Sequence, residues 1–330
     1  MRAAIFDSLT GAGVLLPLAA FALIGVGIFL IASRLSRYAD LIAAATGLGR
    51  LWIGTILLAA STSLPELTTD VNAALLGAAD IAVGDLLGST MANMLILATL
   101  DIVYARRRIL ETVAVDHVIV ATVALILTGI AGIAVATGGW GRIGHVGLDT
   151  LLIFALYVIG MRVVFRATSR AAPAERHQEK ALDDTALRRG LLGFVVATLG
   201  LLVLAPLLVI SAQAIALEAG ASDTAIGTLL VGFTTSFPEI AASIAAVRIG
   251  ALDLAIGNLL GSNAFNMSVL FATDLFYLPG PLLANVAADH AVTALFGMVA
   301  IALSMLAILG RAARRSALVR AESVLVLAAY

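Results

Sequence analysis

The chain of 330 residues carries the same pattern twice, with the two copies 173 positions apart. The matching segments are STSLPEL (61–67) with TTSFPEI (234–240), and DIAVGDLLGS (80–89) with DLAIGNLLGS (253–262). A constant offset over so long a span indicates an internal duplication, which requires a fold built from two similar units. Each copy also places one glutamate, Glu66 or Glu239, inside an apolar stretch, where an ionisable side chain is by default a candidate functional residue.

Composition predicts that both units lie in a membrane. Hydrophobic residues make up 61% of the chain and charged residues 12%, with a mean hydropathy of +1.07, whereas soluble proteins are about 25% charged. The lack of cysteine excludes disulfides, thiolate metal sites and thiol catalysis. The formal net charge of −1 gives no reason to expect a nucleic-acid partner, so the expected partner is the lipid bilayer.

The apolar segments predict ten membrane spans, five in each copy, since about 20 residues cross a bilayer as a helix. The spans are 13–45, 50–76, 80–103, 113–137 and 146–166, then 190–219, 223–247, 251–277, 284–310 and 316–330. We therefore expect an all-α membrane protein with a first five-helix repeat at 1–166, a linker at 167–189 and a second five-helix repeat at 190–330. The last span is shorter than a full crossing, as expected of a short or truncated helix.

The odd number of spans per copy has a geometric consequence. The second copy must enter the membrane from the opposite side, so the two repeats are expected to be inverted, an arrangement that places a transporter's site near the midplane. In the ten-span topology every lysine and arginine except Arg2 and Arg142 falls on one side. Because positive charge marks the cytoplasmic side, we expect a multi-pass cell-membrane protein with a cytoplasmic linker and both termini outside.

A proline interrupts the helix in each copy, at Pro65 and at Pro238. Proline has no N–H and clashes with the carbonyl four residues earlier, so the helix should kink and release carbonyl oxygens. A bilayer tolerates such carbonyls only beside protein or a polar cavity. Side-chain oxygens stand next to both kinks, on Thr62, Ser63 and Glu66 and on Thr235, Ser236 and Glu239. Carbonyl, hydroxyl and carboxylate oxygens together are the ligands that hard cations require.

The second motif adds one polar side chain per copy, Asp85 in the first and Asn258 in the second, each between glycines. Glycines at this spacing let membrane helices approach closely, so both side chains are expected to pack against the kinks, with Glu66 and Glu239 meeting near the centre. Three negative charges in low dielectric require bound cations or protons. Two ions that need the same carboxylates exclude each other, and this exclusion is the physical basis of antiport.

The paired motifs TSLPEL…GDLLGS and TSFPEI…GNLLGSNAFN resemble the two α-repeats of the calcium/cation antiporter superfamily, specifically the sodium/calcium exchanger type. The resemblance implies ten helices, long first and sixth helices that slide, and export of Ca²⁺ driven by inward Na⁺. It also implies a cation site formed by Thr62, Ser63, Glu66, Asp85, Thr235, Ser236, Glu239 and Asn258. The chain departs from the family pattern at Ile81 and Leu254, where some relatives carry a hydroxyl that helps to bind Na⁺.

These observations predict a secondary active cation antiporter that exchanges Ca²⁺ for Na⁺ by alternating access and functions as a monomer. A Ca²⁺/H⁺ exchanger is the alternative, since protonated carboxylates could replace Na⁺. A cation channel is disfavoured because broken helices with mixed oxygen ligands suit binding more than rapid conduction. An enzyme is not expected, because the four histidines are scattered and none joins the repeated motifs. No cofactor is expected beyond the transported ions.

Overall fold

The structure, a computed structural model, describes residues 6, 8–10, 13–104, 116–171, 184–219 and 234–313. Within these ranges the fold is helical, and the only strands are two short ones of two residues each, which pair as an antiparallel hairpin. The helices are α1 (Leu15–Thr46), α2 (Arg50–Thr62), α3 (Leu64–Leu75), α4 (Ala79–Val103), α5 (His117–Thr137), α6 (Leu148–Ala171), α7 (Asp184–Glu218), α8 (Phe237–Arg248), α9 (Leu252–Phe276) and α10 (His290–Ala313). The hairpin consists of β1 (Arg142–Ile143) and β2 (Val146–Gly147).

Seven of the helices in the described part of the chain are long and apolar enough to cross a membrane. These helices are α1, α4, α5, α6, α7, α9 and α10, and each coincides with a predicted span. Residues 220–233 and 314–330 lie outside the described residues, so the predicted span 316–330 and the beginning of the predicted span 223–247 do too. The all-helical membrane-type fold expected from the sequence is confirmed.

The predicted span 50–76 is interrupted near its middle, and the interruption has a local cause. Pro65 lies in the first turn of α3 and has no N–H to bond the carbonyl of Ser61. Ser63 joins α2 to α3 with φ −92° and ψ 4°. Before the break, Ile53–Leu58 of α2 is a π-helix, a wider turn that is frequent at functional sites. The kink predicted from Pro65 is confirmed, and the sequence analysis did not predict the π-helix.

Helix α9 lies at the centre of the molecule. In its apolar stretch 89% of the residues are buried, compared with 17% for α1. Its glycines face the π-helical part of α2: a Cβ at Gly257 would lie 3.0 Å from the backbone nitrogen of Thr55, and one at Gly261 would collide with the Thr55 carbonyl oxygen. The close approach predicted from these glycines is therefore confirmed for α9. Gly88, the counterpart of Gly261 on α4, has open space around it.

The long helices α1 and α7 pack against each other along their length. At three points a glycine of α7 faces a side chain of α1: Gly190 faces Ile42, Gly193 faces the ring of Tyr38, and Gly200 faces Ile31. No side-chain hydrogen bond joins α1 to α7 among the residues that the structure describes, whereas Ser36 of α1 donates to the carbonyl oxygen of Ala242 in α8 over 2.8 Å. The α1–α7 interface therefore depends on packing rather than on directional bonds.

Candidate cation site

The two helix breaks bring the predicted site residues into one region of the molecule. Thr62 ends α2, Ser63 is the break residue and Glu66 lies in the first turn of α3. The same order recurs in the second copy, where Thr235 and Ser236 directly precede α8 and Glu239 lies in its first turn. The second motif supplies Asp85 from the second turn of α4 and Asn258 from the second turn of α9.

Burial distinguishes one of these residues from the others. Glu66 and Asn258 are 0% exposed and Glu239 is 1% exposed, and the four hydroxyl residues at the breaks are also buried. Asp85 remains partly exposed. Since a buried, unpaired carboxylate carries a large desolvation cost, glutamates in such positions need a compensating partner.

Two hydrogen bonds connect the first copy to the second, and they are equivalent under the 173-residue repeat. The Thr62 hydroxyl lies 3.2 Å from Oδ1 of Asn258, and equally far from the carbonyl oxygens of Leu58 and Ala59 in its own helix. Thr235 donates to Oδ1 of Asp85 over 3.0 Å. Each threonine at a helix break therefore holds the polar residue of the other copy's glycine-rich helix. This reciprocal pairing brings the predicted residues of the two motifs into direct contact.

The serines of the two breaks make a second set of contacts between the copies. Ser63 donates to Oε1 of Glu239 over 2.9 Å, and its hydroxyl also lies 3.1 Å from that of Ser262. In the other copy Ser236 lies 3.4 Å from the hydroxyl of Ser89. Ser89 and Ser262 belong to the second motif of each copy, and the structure places both hydroxyls against residues of the candidate site.

Several carboxylate oxygens of this region accept no hydrogen bond from the described residues. They are both oxygens of Glu66, Oε2 of Glu239, Oδ2 of Asp85 and both oxygens of Asp70. Asp70 is 0% exposed and was missed by the sequence analysis, which searched for features present in both copies. An acid one helical turn after Glu66 within an apolar segment was the signal that could have revealed it.

The arrangement supplies mixed oxygen ligands rather than a dense cluster of acids. Within the described ranges, no group of three or more His, Asp or Glu side chains comes together as a ready metal-binding cluster. The available donors are instead two glutamates, one aspartate, one asparagine amide and four hydroxyls. Such oxygens suit a hard cation such as Ca²⁺, which takes 6 to 8 of them in flexible geometry.

Comparison with known families identifies the class of protein. A family model described as sodium/calcium exchanger protein matches residues 16–165 and 189–330. The chain therefore belongs to the sodium/calcium exchanger family, a family of membrane transporters rather than enzymes. The resemblance recognised from the paired motifs is confirmed.

Relatives and solved structures agree with this assignment. An uncharacterized membrane protein of Methanocaldococcus jannaschii is 27% identical over 267 residues, which are 78% of this chain and 84% of that protein. The inner membrane protein YrbG of Escherichia coli is 27% identical over 271 residues, covering 80% of this chain and 82% of that protein. A structure of the sodium-calcium exchanger NCX_Mj superposes with a TM-score of 0.73 at 24% identity, covering 96% of this chain and 97% of that chain. The fold is thus that of a multi-pass membrane exchanger.

Proposed function

We propose that this protein is a secondary active antiporter that exchanges Ca²⁺ for Na⁺ by alternating access. The observation that carries the proposal is the pair of buried glutamates, Glu66 and Glu239, which come from the two copies and keep carboxylate oxygens without a described protein partner. The eight predicted residues would form the cation site. The solved relative supports the ion class, since NCX_Mj crystals were soaked with Na⁺ and Sr²⁺ or Ca²⁺.

The charge of the site carboxylates explains why Ca²⁺ and Na⁺ would exclude each other from the site. One Ca²⁺ between Glu66 and Glu239 balances those two carboxylates, and of the eight proposed residues only Asp85 then carries a further negative charge, which is too little for several Na⁺ ions as well. Several Na⁺ ions at overlapping oxygens would balance the same groups. Either one Ca²⁺ or several Na⁺ ions would balance the carboxylates, whereas both together would exceed their charge. The site would therefore carry one kind of ion at a time across the membrane.

Alternating access would rest on two inverted five-helix repeats, which make ten transmembrane helices. The reciprocal bonds Thr62–Asn258 and Thr235–Asp85 support a pseudo-twofold relation between the copies. The inversion itself is inferred from the odd number of spans per copy. We assign the repeats to 1–166 and 190–330, with the linker 167–189 in the cytoplasm and both termini outside, and propose that one chain suffices for transport without a cofactor.

Coupling to H⁺ instead of Na⁺ is a second candidate that one observation favours. The positions four residues before Asp85 and Asn258 hold Ile81 and Leu254, which have no oxygen to offer a Na⁺ ion. Leu254 is fully buried, so another side chain does not easily take its place. Protonation of the site carboxylates would then take the place of Na⁺ binding in the exchange for Ca²⁺.

Ion flux into proteoliposomes tests the proposal. The purified protein is reconstituted, and ⁴⁵Ca²⁺ uptake is measured with an outward Na⁺ gradient, with a pH gradient, and with neither. We expect saturable uptake that requires the Na⁺ gradient and disappears when an ionophore dissipates it. Uptake that follows only the pH gradient would identify a Ca²⁺/H⁺ exchanger, and uptake that neither saturates nor needs a counter-ion would contradict antiport.

A further inference from the structure

The two copies differ at a pair of positions that touch each other. Asp70 and Asp85 in the first copy correspond, 173 positions later, to Ser243 and Asn258. In the second copy the two side chains form a hydrogen bond with each other, since Asn258 donates through Nδ2 to the hydroxyl of Ser243 over 3.1 Å. The first copy has two carboxylates in the same places, and ionised carboxylates can only accept hydrogen bonds. A neutral hydrogen bond in one copy is therefore replaced by two acids in the other.

Asp70 lies deep in the protein beside the proposed site. Its side chain is 0% exposed, and it follows Glu66 by four residues, which places both on the same face of α3. Its carboxyl group faces that of Asp85 at hydrogen-bonding range, as Ser243 faces Asn258 in the second copy. Apart from Asp85, no residue that the structure describes offers a hydrogen-bond partner to either oxygen of Asp70. Two buried carboxylates that face each other need a proton or a cation between them.

We propose that Asp70 is a further cation-ligating residue, and that Asp70 and Asp85 form a second cation position next to the Glu66–Glu239 position. This inference rests on the proposed function, because it enlarges the same site. The ligand class is a hard cation of the kind transported, Ca²⁺ or Na⁺, since the donors are carboxylate oxygens with the Thr235 hydroxyl beside them. Glu66 stands between the two positions, one turn from Asp70.

Charge balance leads to the same conclusion. Glu66, Glu239, Asp70 and Asp85 carry four negative charges when ionised, and one Ca²⁺ balances only two of them. Two unbalanced charges in a low-dielectric region would be strongly destabilising. The second copy avoids the problem because Ser243 and Asn258 are neutral. A second bound cation on the first-copy side resolves it there, and a proton shared by Asp70 and Asp85 is the alternative that the binding experiment distinguishes.

Equilibrium binding of ⁴⁵Ca²⁺ to the purified full chain in nanodiscs, without Na⁺, tests this inference. We expect two Ca²⁺ per wild-type chain. Asp70→Asn, which keeps the shape, and Asp70→Ser, which copies Ser243, should each bind one, because the Glu66–Glu239 position remains. Ca²⁺ retained at that position also shows that the variants are folded. Asp40→Asn is the matched control, since it removes one carboxylate that pairs with Arg50 at the surface, and it should bind like wild type.

Each outcome either supports or overturns the second cation position. Loss of one Ca²⁺ in both Asp70 variants but not in the control supports the second position. Isotherms of the Asp70 variants that superimpose on the wild type overturn it while leaving the proposed function intact. Loss of all binding in monodisperse Asp70 variants also overturns it, because Asp70 would then serve a single shared site. A wild-type chain that binds no Ca²⁺ overturns the proposed function together with this inference.

Discussion

The two halves of the candidate site share one backbone plan and differ in charge. Thr62 donates to Asn258 in one half and Thr235 donates to Asp85 in the other, over nearly equal distances of 3.2 and 3.0 Å. In the half formed by Thr62 and Asn258, which carries no charge, Asn258 is fully buried. In the half formed by Thr235 and Asp85, the aspartate stays partly exposed. The two halves thus share one hydrogen-bond geometry and differ in the polar side chains that they present.

The first prediction tests whether the two halves act as one site. Glu66→Gln and Glu239→Gln should each abolish Ca²⁺ transport, because each removes a carboxylate that the ion needs and the other glutamate cannot replace it. The measurement is ⁴⁵Ca²⁺ uptake into proteoliposomes, with size-exclusion elution as the check on folding. Glu218→Gln, at the end of α7 and away from the motifs, is the matched control and should transport normally. Full activity in both site variants would remove the proposed site.

The second prediction concerns the two glycines that occupy equivalent places on α9 and α4. Gly261→Ala should destabilise the protein by about 1–3 kcal/mol, the usual cost of overpacking, because the new Cβ would collide with the Thr55 carbonyl. Gly88→Ala should be tolerated, because nothing lies within 4 Å of its added Cβ. Thermal melting of the two variants in the same detergent checks this. Equal melting temperatures would mean that α2 and α9 can separate without cost.

The third prediction compares the two threonines, and Thr62→Val should have the smallest effect of all. Thr62→Val removes a hydroxyl that lies 3.2 Å from the Asn258 amide oxygen and from two carbonyl oxygens of its own helix, and interhelical hydrogen bonds in membranes average about 0.6 kcal/mol. Thr235→Val removes a donor to the Asp85 carboxylate and should cost more, about 1.5–3 kcal/mol, because hydrogen bonds to charged groups are stronger. Melting temperatures in Ca²⁺-free buffer measure both. A larger loss for Thr62→Val would show that Asn258, not Asp85, depends on its threonine.

Much of the fold was predictable because the repeated motifs contain their own structural causes. Pro65 and Pro238 fix where the helices break, since a missing N–H acts locally. Gly257 and Gly261 predict a close helix contact for a similarly local reason. The eight candidate residues were taken from the same motifs through the family resemblance, and the structure joins Thr62, Thr235 and Ser63 to other members of this set.

What could not be predicted depends on contacts between distant parts of the chain. Asp116 precedes α5 without making a side-chain cap bond. The neighbouring His117 lies 3.0 Å from Asp253, and the equivalent His290 lies 3.2 Å from Asp80. The π-helix of α2 has no sequence signature of its own. Asp70 was missed because the second copy has Ser243 in its place, and its neighbour Asp85 comes beside it only in the folded chain.

The glycines that α7 presents to α1 have a consequence for motion. At each of these positions the missing side chain makes room for one from α1, so the two helices interlock and resist sliding past each other. Ser36 bonds α1 to α8 instead, through the Ala242 carbonyl. If α1 moves during transport, α7 should therefore move with it, and the Ser36–Ala242 hydrogen bond is a directional contact that such a movement would break.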